Sequence, residues 1–230
     1  MRRLLYVPVI HEESDIGASR TLLGQRSRQI VGIGRWEFHE RTVHGYWESV
    51  ATHLRSVDLS GAKLFQDGLT VGGKTGERIV REAARTGSHN YRLLLELIER
   101  GARLQGTEKL ELLLQERDLL QDRLQERSPG SGPRSCSEHR ASYERLLTER
   151  DRYIARAINE SLEEGELGVL FIGAQHEIAP YLAPDIGMEM VADPPLVRAY
   201  INELFSGSDN RRLEEIAMRL TGPDAGQSRL

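Results

Sequence analysis

Two stretches of this chain are apolar from end to end, LLYVPVI at residues 4–10 and LGVLFIG at residues 167–173. A strand with one solvated face alternates apolar and polar residues, because successive side chains point to opposite faces. A run without that alternation must be covered on both faces, as in a parallel sheet clad in helices. Three weaker runs, AKLFQ at 62–66, ARLQ at 102–105 and MEMVA at 188–192, are expected to add strands. Stretches of helical periodicity lie between them. HGYWESVATHLRSV puts Tyr46, Val50, Leu54 and Val57 on one face, and GERIVREAART and NYRLLLELIERG follow, the second closed by Gly101 at a C-cap position. Strand and helix in alternation predict an α/β fold with a mostly parallel sheet of about five strands flanked by helices.

Two longer charged stretches interrupt the alternation. TEKLELLLQERDLLQDRLQER at 107–127 and ASYERLLTERDRYIARAINESLEEG at 141–165 carry leucines and isoleucines at helical spacing. The segment SPGSGPRSCSEH at 128–139 is rich in Pro, Gly and Ser and reads as a flexible loop between them. The expectation is a long helical hairpin. It is either a pair of crossover helices with an exposed connection, or a lid or oligomer-forming arm, which would make the protein a homo-oligomer. Residues 1–222 are expected to form a single α/β domain, and 223–230 a frayed C-terminal tail.

Composition narrows the partners. The 230 residues carry a formal net charge of −4, so no basic excess points to a nucleic-acid partner. No apolar run approaches the length of a membrane span. The start MRRLLYVPVI joins a basic head to a short apolar run without a small-residue cleavage site, and reads as a strand rather than a signal peptide. The one cysteine, Cys136, has no internal partner, which fits a reducing, cytoplasmic setting. A small molecule or a peptide is the expected substrate class.

In open α/β sheets the ligand site lies beyond the carboxyl ends of the strands. The residues that follow each predicted strand are therefore the candidates. They are His11, Glu12, Glu13 and Asp15 after the first, Gln66 and Asp67 after the second, and Thr107 and Glu108 after the third. His176 and Glu177 follow the fourth and Asp193 the fifth. If the first and fourth strands are neighbours, His11 and His176 share a site. Imidazole with carboxylate suits zinc, manganese or iron, and a catalytic site would keep one position open for water. Glu12 or Glu108 would then act as general base. His39, His44, His53, His89 and His139 read as surface or helix-face residues.

The stretch GLTVGGKT at 68–75 spells the P-loop pattern, with Lys74 and Thr75 as phosphate and magnesium contacts. Such a loop normally leaves a buried apolar strand, whereas the run before this one holds Lys63 and ends in Gln66–Asp67. Leu69, Thr70 and Val71 are also poor material for a cradle. A glycine-rich turn that starts a helix is the expected role, with nucleotide binding as an alternative.

LFIGAQHEIAPYL, with G-x-x-H from Gly173 to His176 after an apolar strand, resembles the second signature of the TraB/Tiki-type superfamily. Its relatives include erythromycin-esterase-like and ChaN-like α/β proteins. ERDRYIARAINESL at 149–162 is similar to the Arg-containing helix that leads into that strand. The family's first signature is another G-x-x-H. Here PVIH has Pro8 in place of the glycine, with His11 at the matching position. The resemblance covers the first strand and residues 149–182. It implies metal-dependent hydrolase activity with His11 and His176 as ligands. The family's acidic position falls on Gln66 or Asp67, so the resemblance implies Asp67 as the third ligand. A non-catalytic ligand-sensing or interaction protein on the same fold is the other reading.

Overall fold

The two apolar runs become the central pair of a five-stranded sheet. In the computed structural model, which describes residues 1–12, 27–126, 133–207 and 209–222, β1 (Arg2–Val9) lies beside β4 (Leu167–Gly173). β5 (Ile186–Met190) flanks β1 on one side. β2 (Lys63–Gln66) flanks β4 on the other, and β3 (Arg103–Leu104) forms the far edge. All pairs are parallel and the order is β3-β2-β4-β1-β5. Pro8 sits in an inner strand without disrupting the ladder. Pairing with β5 stops at Tyr6 opposite Met190, two residues before the missing N–H.

Alternate side chains of the central strands feed two separate cores. Leu5, Val7, Val9, Leu64, Val169 and Phe171 face one layer, built from α1 (Ile33–Arg55), α2 (Gly73–Arg85), α3 (His89–Glu99), α6 (Pro194–Ser206) and α7 (Asn210–Thr221). Leu4, Tyr6, Phe65, Leu170 and Ile172 face the opposite layer, covered by Ile154, Ala155 and Ile158 of α5 (Pro133–Ser161). α4 (Leu110–Glu126) packs on α5, so the expected hairpin is present, with α5 as the crossover helix on the sheet. Ser88 caps α3, its hydroxyl accepting from Tyr91 N at 3.2 Å. Gly101 follows the same helix at φ 99°, a left-handed value that favours glycine.

Several boundaries differ from expectation, and the strand expected at 188–192 runs Ile186–Met190 instead. α5 begins at Pro133, so residues 133–139 are helical rather than loop; a proline at the first helical position lacks only an N–H that has no partner there. Residues 128–132 of that segment and the tail 223–230 lie outside the described residues. α1 starts at Ile33, about three turns before the periodic stretch used to predict it. α6 and α7 follow β5, and Pro194 and Pro195 occupy the first turn of α6. Among the described residues no helix is long and apolar enough to cross a membrane.

Candidate active site

The chain leaves β1 for α1 on one face of the sheet. It leaves β4 over the other face, where Ile178, Tyr181 and Leu182 pack. Neighbouring strands that depart to opposite faces open a crevice at their carboxyl ends. A cavity of about 590 Å³ lies there. His11, Glu12, Gln66, Asp67, Gly173 and His176 line its strand side, and α1, α4, α5 and α6 supply the other walls.

Three of the predicted residues meet at one glycine. A methyl group built on Gly173 would stand 3.2 Å from Asp67 Oδ2, 3.6 Å from His176 Cδ2 and 3.7 Å from His11 Nε2. Gly173 N donates to Asp67 Oδ2 at 3.0 Å, and His176 Nε2 is 3.7 Å from the same oxygen. His11 is exposed at the rim, whereas His176 is buried. Burial works to raise the Asp67 pKa, but His176, Arg150, His11 and the Gly173 N–H together hold it below the usual carboxylate range. His176 Nδ1 lies 2.5 Å from Asp151 Oδ1, whose second oxygen accepts from Glu177 N at 3.0 Å. Burial works to lower the His176 pKa. The Asp151 hydrogen bond and the Asp67 charge prevail, and the net shift is upward. Asp151 therefore fixes the ring and leaves Nε2 for the cavity.

Behind this cluster sits a buried cation. Arg150 on α5 reaches Asp67 at 2.6 Å, Glu108 at 2.5 Å and Glu116 of α4 at 2.7 Å. One guanidinium thus faces three carboxylates. Burial and the Asp67 charge push the Glu108 pKa up to about 7 against the pull of Arg150. Glu108 is buried and does not line the cavity. Glu12 lines it, yet its two oxygens accept from His89 N and meet His89 Nδ1, each at 2.8 Å. His89 Nε2 is in turn 3.0 Å from His44 Nδ1. The two carboxylates expected as bases are thus engaged in pinning α4–α5 and the start of α3. Glu13 and Asp15 lie outside the described residues.

Arg150, Asp151, Glu116 and Arg198 were not sequence candidates, and a signal existed for the first two. Arg150, Asp151, Ile154 and Ile158 share one helical stripe, so the charges interrupt an apolar face. His39 lies on a helix, as one of the two expected placements had it, but not at the surface. It is buried, lines the cavity and sits 3.1 Å from Tyr200 Oη through Nδ1; burial lowers its pKa to about 4. Gln66 is 1% exposed and lines the cavity; its Nε2 donates to Asp67 O, while Oε1 has no partner among the described residues.

Gly72, and Gly76 just beyond the motif, serve close packing, while Gly68 and Gly73 take left-handed φ values of 77° and 56°. A Cβ on Gly72 would lie 2.5 Å from Leu104 O, and one on Gly76 2.3 Å from Val71 O. Leu69 O accepts from Thr107 N and Glu108 N at 2.8 and 3.0 Å, which ties the turn to the end of β3. Lys74 and Thr75 are exposed in the first turn of α2.

The donor set at Gly173 agrees in chemistry with a divalent metal. Two ligands of one tetrahedral ion stand roughly 3.4 Å apart when each bond is about 2.1 Å. The 3.7 Å between His176 Nε2 and Asp67 Oδ2 needs only a small closure. Among the described residues no group of three or more His, Cys, Asp or Glu side chains is already drawn together as a metal cage. No family model, curated protein or solved structure matches the chain, and the site stands on its own geometry.

Proposed function

We propose that this chain is a metal-dependent hydrolase acting in the cavity at the carboxyl ends of β1, β2 and β4. The observation that carries the reading is the convergence of His11, His176 and Asp67 on Gly173. These three would hold the ion, as the resemblance to the TraB/Tiki-type superfamily also implies. Zinc, manganese or iron bound there would raise the acidity of a coordinated water and polarise the bond to be cleaved. Asp151 holds the His176 ring in place, as a carboxylate does for a metal-ligating imidazole. His176 and Arg150 together keep Asp67 ionised. The substrate is a small molecule, or the end of a peptide, of a size the cavity admits.

Metal analysis of the purified protein tests the reading. About one equivalent should be present, and His11→Ala and His176→Ala should each lower it. Because the His176 pKa is raised, metal uptake should develop above the ordinary imidazole value of roughly 6.5. Chelation should abolish hydrolysis of a panel of chromogenic esters and amides, and readdition of the metal should restore it. Unchanged metal content in both variants would sink the proposal and leave a non-catalytic ligand-binding protein as the better account.

A further inference from the structure

The α6 wall of the cavity carries a cation that no mechanism above uses. Arg198 lines the cavity, and its Nη1 donates to Ala174 O at 2.7 Å. No carboxylate pairs with it among the described residues. The hydrogen bond to Ala174 fixes one end of the guanidinium and leaves the Nε–Nη2 edge, two parallel N–H groups that match a carboxylate. Val197 and Ile201 of the same helix line the cavity beside it, with Phe205 one turn further on and Trp36 of α1. Phe205 is 44% exposed, a large apolar ring at the rim. The second unused group belongs to Gln66, which lines the same cavity and whose Oε1 is a buried acceptor without a donor among the described residues. Leaving such an atom without a donor costs about 1–3 kcal/mol, and a ligand N–H or O–H would recover it once the buried amide turns toward the cavity.

We infer that the α6 wall binds the carboxylate of a monoanionic ligand with an apolar body, through Arg198, and that Gln66 accepts a hydrogen bond from an N–H or O–H of that ligand. The inference rests on the cavity being the substrate site and names the substrate class: an acylated apolar α-amino acid, or the same group at a peptide's carboxyl terminus. Charge selects a monoanion. Among the described residues the cavity also holds Glu12, Asp67 and Glu116, so a phosphate dianion would meet three carboxylates while gaining one cation that no carboxylate already pairs. The apolar residues of α6 and α1 select the body that accompanies the carboxylate.

Titration of the full-length, chelator-treated protein with N-acetylleucine, followed by NMR or calorimetry, reads binding without hydrolysis of the ligand. N-acetylleucine should bind, and N-acetylleucinamide, which lacks the charge, should bind about tenfold or more weakly. Arg198→Gln should remove that preference, and Arg198→Lys should restore part of it. Inorganic phosphate should not compete. A decapeptide ending in leucine identifies the source. Binding equal to N-acetylleucine points to a peptide terminus, and absence of binding to a free acylated amino acid; either supports the subsite provided N-acetylleucine binds. Equal binding of acid and amide by the wild type overturns the inference without recourse to any variant. So does an Arg198→Gln protein that is folded and keeps the preference. Metal content read on the same samples before chelation separates the two proposals. Metal present without N-acetylleucine binding removes the carboxylate subsite alone. Binding to metal-free protein keeps the subsite even if the hydrolase reading fails.

Discussion

Arg150 shows why one residue can set the electrostatics of a whole cavity. Its side chain is 4% exposed and its three partners are all carboxylates. Removing the charge would leave Asp67, Glu108 and Glu116 facing one another with little solvent. Breaking a buried ion pair from one side costs about 3–5 kcal/mol. Arg150→Met should lower stability by that order in urea unfolding, and a loss below about 1 kcal/mol would show that the three carboxylates relax into water. Beside His176, whose pKa is also raised, Glu108 carries part of the pH dependence. Burial and Asp67 raise its pKa from 4.5 to about 7 in the folded chain. The stability it contributes is complete below about 4.5, where both states are protonated, and is lost as pH rises through about 7. Glu108→Gln keeps the protonated shape and should flatten the decline between pH 5 and pH 8, a range chosen to bracket about 7. Parallel profiles for variant and wild type would place the titrating group elsewhere.

At the scale of elements, the segment from β2 into α2 decides between phosphate cradle and packed turn. A Cβ on Gly72 would meet the backbone of Leu104, Gln105 and Gly106, each within 2.9 Å, and backbone cannot swing aside as a side chain can. Gly72→Ala should therefore destabilise by about 1–3 kcal/mol, the range for overpacking. Lys74→Ala, at an exposed position, should change stability by no more than about 0.5 kcal/mol and leave ATP and GTP binding negligible. Micromolar triphosphate binding that Lys74→Ala abolishes would restore the nucleotide reading. The helices 107–127 and 141–165 were legible as a pair from their periodicity. That α5 covers the sheet while α4 leans on α5 was not, because both sequences carry apolar residues at helical spacing and neither names the surface it meets.

Over the whole molecule, the layers are unequal: among the described residues α1, α2, α3, α6 and α7 cover one face of the sheet and chiefly α5 the other. The larger layer depends on its last element. Leu213, Ile216, Ala217 and Leu220 of α7 are buried in that core, and Thr221 approaches Gly45 of α1, where a Cβ would stand 3.1 Å from Thr221 Cγ2. Burial of each large side chain contributes roughly 1.5–3 kcal/mol, against a whole-domain margin of about 5–15 kcal/mol. Truncation after residue 207 should therefore give a chain with a strongly lowered melting temperature that binds hydrophobic dyes. A truncated chain that melts cooperatively at the parent temperature would show that α7 is an accessory.

The sequence by itself determined the five strands, the parallel sheet and the polar residues at its carboxyl edge. Continuous apolar runs permit only a doubly covered strand, and strand direction puts every post-strand residue at one edge. It did not determine who meets whom there. Strand order placed His11 next to His176, and the approach of β2 to β4 brought Asp67 to Gly173. The tertiary structure alone assigned Glu12 to His89 and Glu108 to Arg150, since an isolated carboxylate in a sequence carries no record of its partner. It alone brought in Asp151, Arg150 and Arg198, which arrive on helices far along the chain. The reason is physical: periodicity is a local property of the backbone, whereas ion pairs and cavities form only where distant segments are packed into contact.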